Sequence, residues 1–209
     1  MFNFSHYLLD ERVALKSDAD MNLTVFDIDD TLFKSSAEVG VEKDGKTVRR
    51  LTPAEYPKYK LKDGESFNFD EFRSSAKFAE TAKPIHKVLS RAKDEVGRSN
   101  SKNKVIILTA RADFDDKEKF LSVFRRYGFD IDKVYVERAG NLDHKGFNST
   151  AKNKKVIFNK YLSTGKFKSI TFFDDSVANV RSFMSLEKRY PGVEFIAYHV
   201  QENGTMRKV

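Results

Sequence analysis

Leu23-Thr24-Val25-Phe26-Asp27-Ile28-Asp29-Asp30-Thr31 decides how the rest of the chain is read. Four residues suited to a buried strand run straight into three carboxylates and a threonine. Two later stretches repeat the pattern. Val105-Ile106-Ile107-Leu108 ends in Thr109-Ala110-Arg111, and Ile170-Thr171-Phe172-Phe173 ends in Asp174-Asp175-Ser176. Short strands are also expected at 134–136 and 194–199. Helical spacing is expected over about 70–95, interrupted near Pro84, and over 115–127, 153–163 and 177–189. Strands alternating with helices predict an α/β protein whose mainly parallel, five-stranded sheet is covered on both faces.

In such sheets ligands bind beyond the carboxyl ends of the strands, where the strand order switches. Asp27, Asp29, Thr109, Asp174 and Asp175 are therefore expected to converge although they are far apart in sequence. Four carboxylates in one place repel one another, and a hard divalent cation with oxygen ligands relieves the repulsion. Each acid taken alone also reads as a helix cap or a turn former.

The order of these segments resembles the haloacid dehalogenase superfamily. Val25-Phe26-Asp27-Ile28-Asp29-Asp30-Thr31-Leu32 is similar to its first motif, hhhDxDxT. Ile107-Leu108-Thr109 is similar to the second, a lysine opening a later helix to the third, and Phe172-Phe173-Asp174-Asp175 to the fourth. The resemblance covers residues 23–180. It implies a Rossmann-like three-layer sandwich and a magnesium-dependent phosphatase. In that reading Asp27 is the nucleophile and forms an aspartyl-phosphate, and Asp29 is the general acid and base. Thr109, Ala110, Arg111 and Lys154 hold the phosphate, and Asp27, Asp29, Asp174 and Asp175 form the Mg2+ site. Asp29 would contribute through its backbone carbonyl. The family pattern places apolar residues three and four after the catalytic lysine. Lys154, followed by Ile157 and Phe158, fits better than Lys152 or Lys155. Asp30 stands where many family members have glycine.

Other residues stay open between roles. Arg111 suits a substrate phosphate or a surface ion pair. Asn179 suits support of Asp174 and Asp175 or a backbone cap. His6, His86, His144 and His199 lack partners at metal-ligand spacing, which favours surface or core roles.

Asp44-Gly45, between β-prone flanks, predicts a hairpin. Residues 34–66 are then a flap inserted in a single domain spanning 1–209, with no full cap domain. A site without a full cap suits large substrates, and a net charge of +7 suits a polyanionic one. The arginine after the second motif, Lys154 with Ile157-Phe158, and Asp174-Asp175 also resemble the phosphatase domain of bacteriophage polynucleotide kinases, loosely outside the motifs. The resemblance implies a phosphate on a nucleic-acid end as substrate. A small-molecule nucleotide phosphatase and a catalytically idle nucleic-acid-binding module are the alternatives. There is no cysteine, which excludes disulfides and thiolate chemistry. With no secretory signal and no apolar run of membrane length, the expectation is a cytoplasmic protein without a membrane partner. Residues 1–20 are expected to be helical.

Overall fold

The computed structural model describes residues 15–142 and 149–209. In chain order its elements are β1 (Met21–Phe26), β2 (Phe33–Lys34), β3 (Val39–Lys43), β4 (Lys46–Leu51), β5 (Glu65–Asn68), α1 (Asp70–Arg73), α2 (Ser75–Thr81), β6 (Lys83–Pro84) and α3 (His86–Gly97). They continue with β7 (Asn103–Thr109), α4 (Lys117–Arg126), β8 (Tyr135–Arg138), α5 (Thr150–Leu162), β9 (Phe167–Asp174), α6 (Val177–Met184), β10 (Glu194–Val200) and β11 (Met206–Lys208).

The main sheet has six strands in the order β11-β10-β9-β1-β7-β8. All neighbouring pairs are parallel except β10–β11. The expected five strands are all present. The sixth, β11, folds back antiparallel on β10 as a polar edge segment too short to show a period of its own. Alternation along the strands serves two apolar layers. Phe26, Ile107 and Phe173 face one layer, with Phe78 of α2, Leu89 of α3 and Phe124 of α4. Val25, Ile106 and Phe172 face the other, with Phe158 of α5 and Phe183 of α6.

The Asp44-Gly45 hairpin forms, with φ of 51° and 73° at its two turn residues. Both are left-handed, as a tight β3–β4 turn requires. The polar segment through Gly64 is followed by β5, which pairs with β3 and makes a three-stranded sheet. Its small core joins Val39, Val41 and Leu51 to Tyr56, Tyr59, Phe67 and Phe72. The aromatic residues that complete this core come from a 3-10 turn at Tyr56–Lys58, from Tyr59 after it, from β5 and from α1, so no single period reveals them. Helix α6 ends at Met184, short of the expected residue 189. Residues 15–20 form no helix; residues 1–14, with His6, and residues 143–148, with His144, lie outside the described residues. Among the described residues no helix is long and apolar enough to cross a membrane.

After β1 the chain moves outward to β7 and β8, then crosses back to β9 on the other side of β1. The strand order therefore switches between β1 and β9. Asp27 follows β1, and Asp174 ends β9.

Candidate active site

Asp27, Asp174 and Asp175 each place a carboxylate oxygen within 4.8 Å of the others. Asp27 and Asp174 are buried. Lys154 lies one turn into α5, whose N-cap is Ser149. That turn carries its side chain under the acids, and it is itself 2% exposed. Its ammonium donates to Asp27 Oδ1 at 2.6 Å and to Asp174 Oδ2 at 2.7 Å. Lys152 is exposed, and Lys155 donates to Ser185 Oγ at 3.0 Å. Of the three lysines only Lys154 reaches the acids.

Burial sets the electrostatics. It pushes the Asp27 carboxyl well above its ordinary value; Lys154 opposes this, and the charges of Asp174, Asp175 and Asp29 add to it. Burial, with Asp174 and Asp30 nearby, pushes Asp175 up to about 7. Burial alone would push the Lys154 ammonium down, but Asp174 and Asp27 hold it above its ordinary value. The carboxylates are thus crowded and short of positive charge, with Lys154 the one cation bonded to them among the described residues. A donor set made only of oxygens fits a hard divalent cation.

Asp174 is braced from α6. Asn179 Nδ2 donates to both of its oxygens at 3.0 and 3.1 Å, and its Oδ1 accepts from Ser176 N at 2.8 Å. Ser176 caps α6. Of the two roles open to Asn179 it takes the first, support of Asp174, while Ser176 serves as the cap.

Asp29 turns away from the other three acids. Arg111 takes both of its oxygens, Nε–Oδ2 at 2.8 Å and Nη2–Oδ1 at 2.6 Å. The same guanidinium donates to Phe72 O at 2.8 Å and to Ser35 Oγ at 3.1 Å. It lies between the rings of Phe72 and Phe78, 5.2 and 4.8 Å from their centroids. Arg111 is 2% exposed and pairs with a partly buried Asp29, which corrects the surface ion pair considered from sequence. The aromatic walls come from α1 and α2, and nothing near Arg111 in the sequence announces them. Thr109 is fully buried, and its Oγ1 accepts from Arg111 N at 3.1 Å. The hydroxyl thus shapes the loop Thr109-Ala110-Arg111. Gly140 presses on that loop so closely that a Cβ there would meet Ala110 O at 2.5 Å.

Three participants were not singled out from sequence. Thr31, inside the quoted motif, accepts from Asp175 N at 3.1 Å. Ser35 bonds Asp29 Oδ1 at 3.3 Å, beyond the end of the motif. His199, set aside as surface or core, points Nε2 at Asp175 O, 2.9 Å away. Its place follows from the pairing of His199 with Asp174 across β10 and β9, which is known only once the strand order is. Asp30 adopts φ 57°, a left-handed conformation that glycine takes without strain. This gives a backbone reason for glycine at that point of the motif.

A scan against protein-family models finds no match to the chain, and a search of curated proteins finds no similar one. The functional reading therefore rests on the residues themselves.

Proposed function

We propose that the protein is a magnesium-dependent phosphomonoester hydrolase of the haloacid dehalogenase type, acting on a phosphate at a nucleic-acid end. The observation that carries this reading is the bridge made by Lys154 between Asp27 and Asp174, at the carboxyl ends of adjacent parallel strands. A carboxylate nucleophile that must approach an anionic phosphoryl group needs fixed positive charge beside it.

Asp27 attacks phosphorus through a carboxylate oxygen. The bond from phosphorus to the leaving oxygen breaks, and Asp29 supplies that oxygen with its proton. Water then attacks the aspartyl-phosphate, Asp29 takes a proton from it, and inorganic phosphate leaves with Asp27 regenerated. Lys154 offsets the charge of nucleophile and phosphoryl group. The Ala110 N–H and the Thr109 hydroxyl would orient phosphoryl oxygens, on a loop shape that the Arg111 N–H bond to Thr109 Oγ1 maintains. Asp27, Asp174 and Asp175 would hold Mg2+, which when bound supplies Lewis-acid stabilisation of the phosphoryl oxygens. Arg111 anchors both oxygens of Asp29; Oδ1 also accepts from Ser35 Oγ, so Oδ2 is the oxygen that keeps a further lone pair for proton transfer.

The test is phosphate release with and without Mg2+ from p-nitrophenyl phosphate, nucleotides, and 3′- and 5′-phosphorylated oligonucleotides. Wild type and Asp27→Asn are compared. Expected is Mg2+-dependent release that is fastest from oligonucleotide ends and absent in the variant. Preference for free nucleotides would move the substrate to small molecules. Release from none of them would overturn the hydrolase reading and leave a binding module.

A further inference from the structure

Where the chain leaves the acid-bearing loop lies a second cationic feature that hydrolysis of a single phosphate does not use. A cleft of about 320 Å³ is lined by Lys34, Lys83, His86, Lys87 and Glu202 over an apolar floor that includes Ile85. The floor is continuous with the proposed catalytic loop: Ile85 N donates to Leu32 O at 2.9 Å, and Asp30 N donates to Phe33 O at 2.8 Å. Lys34 follows directly in β2.

The charge arrangement in this cleft is unusual. Lys34 and Lys83 stand directly opposite each other in the two-residue β2–β6 ladder. Like charges at that position repel and weaken the pairing. Lys87, one turn on in α3, adds a third ammonium, and His86 a further titratable group. The one carboxylate among the lining residues is Glu202, 3.3 Å from Lys34 and almost fully exposed. The walls are set by close packing: Gly204, at φ 78°, lies so near Ile85 that a Cβ would meet its Cγ2 at 2.8 Å. Lys34 also feels the Asp30 carboxylate. Three lysines against Asp30 and the exposed Glu202, on an apolar floor, leave the site with an excess of positive charge.

We propose that this cleft is a second phosphate subsite, taking the phosphodiester that neighbours the terminal phosphate of a nucleic-acid strand whose end lies at Asp27. The inference rests on the hydrolase reading for the position of that end. The ligand chemistry, a phosphate group a short distance from the scissile one, is shared by a strand and by a free nucleoside bisphosphate. A strand is favoured because Lys83, His86 and Lys87 are exposed and leave room for a chain to continue.

Binding of a dye-labelled, end-phosphorylated single-stranded oligonucleotide is measured by fluorescence anisotropy in the Asp27→Asn background, so that no turnover is needed. Expected from Lys83→Ala/Lys87→Ala is binding weakened about tenfold or more, with the slope of log Kd against log salt reduced by about 1.4 for two lost contacts. Lys166→Ala/Lys168→Ala, the same charge change at the opposite ends of the strands, should alter binding less than about twofold. With Asp27 intact, the Lys83/Lys87 variant should keep wild-type turnover of p-nitrophenyl phosphate. Unchanged oligonucleotide binding in the Lys83/Lys87 variant, or a parallel loss on p-nitrophenyl phosphate, overturns the subsite. Weakened binding in a protein whose wild type releases no phosphate keeps the subsite and removes the hydrolase reading. Competition by a nucleoside bisphosphate as strong as by the oligonucleotide keeps the subsite and assigns it to free nucleotides.

Discussion

Arg111 grips both carboxylate oxygens of Asp29, at 2.8 and 2.6 Å, although 82 residues separate the two in sequence. The grip extends to the base of the flap, because the same guanidinium holds Phe72 O. Three parts of the chain therefore share one buried cation: the acid-bearing loop, the loop after β7 and the α1 segment.

Replacing Arg111 with alanine removes all of these contacts at once. It leaves Asp29 unpaired and empties the space between Phe72 and Phe78. Breaking a buried pair from one side costs about 3 kcal/mol or more, and urea denaturation should show a loss of that order. Arg111→Lys keeps the charge but not the two parallel bonds. It should recover part of the stability while phosphate release stays well below wild type. Equal activity in Arg111→Lys and wild type would show that the bidentate geometry is dispensable.

Lys154 poses the opposite problem, one cation shared by two buried acids. In Lys154→Met the acids lose the ammonium bonded to both of them, and the metal-free protein should be destabilised by about 3 kcal/mol. A divalent cation bound by Asp27, Asp174 and Asp175 replaces the missing charge. Mg2+ should therefore raise the Tm of Lys154→Met more than that of wild type. Thermal melts with EDTA and with Mg2+ read both effects, and a Mg2+ response no larger than wild type would count against the shared site.

The strands, their order of appearance and the acids at their ends were legible because buried parallel strands are short apolar runs, and their ends are marked by abrupt polarity. Lys154 was separable from Lys152 and Lys155 because the pattern of the family the chain resembles has apolar residues three and four after the lysine, and Ile157 and Phe158 stand there. Arg111 was not legible as a buried group. Its burial depends on Phe72 and Phe78, which reach it only through tertiary packing. His199 was hidden for a related reason: its neighbour Asp175 follows the end of another strand, β9, and no local pattern carries the strand order. β5 was lost in a polar stretch because its partner β3, not its own alternation, makes it a strand.

The pH dependence of stability without metal follows from the raised acids. Asp175 titrates near 7 in the folded protein against about 3.8 unfolded, and Asp27 is also raised. Between these values the folded state binds more protons than the unfolded state, so stability falls as pH rises from about 4 to about 7. Lys154 remains charged throughout and adds no slope there. In EDTA the unfolding free energy should drop by a few kcal/mol across that window. Saturating Mg2+ should flatten the fall by stabilising the ionised acids. Urea titrations at several pH values with and without Mg2+ measure this, and stability rising steadily over the same range in EDTA would contradict the buried-acid account.

Gly140 gives the sharpest steric test of the loop after β7. A Cβ at this position would lie 2.5 Å from Ala110 O, 2.7 Å from Ala112 N and 2.7 Å from Arg111 C. All three are backbone atoms, so no flexible side-chain end can yield. Gly140→Ala must push the Ala110–Ala112 backbone away from the turn that follows β8, and with it the Ala110 N–H assigned to phosphoryl oxygens. Overpacking of this kind costs about 1–3 kcal/mol, and a displacement of about 1 Å in a positioning loop is enough for a loss near a hundredfold in rate. Stability and kcat/KM should therefore fall together, while the Mg2+ response of the Tm, set by Asp27, Asp174 and Asp175, stays close to wild type. A variant with full activity would mean that phosphoryl oxygens are held elsewhere than at this loop.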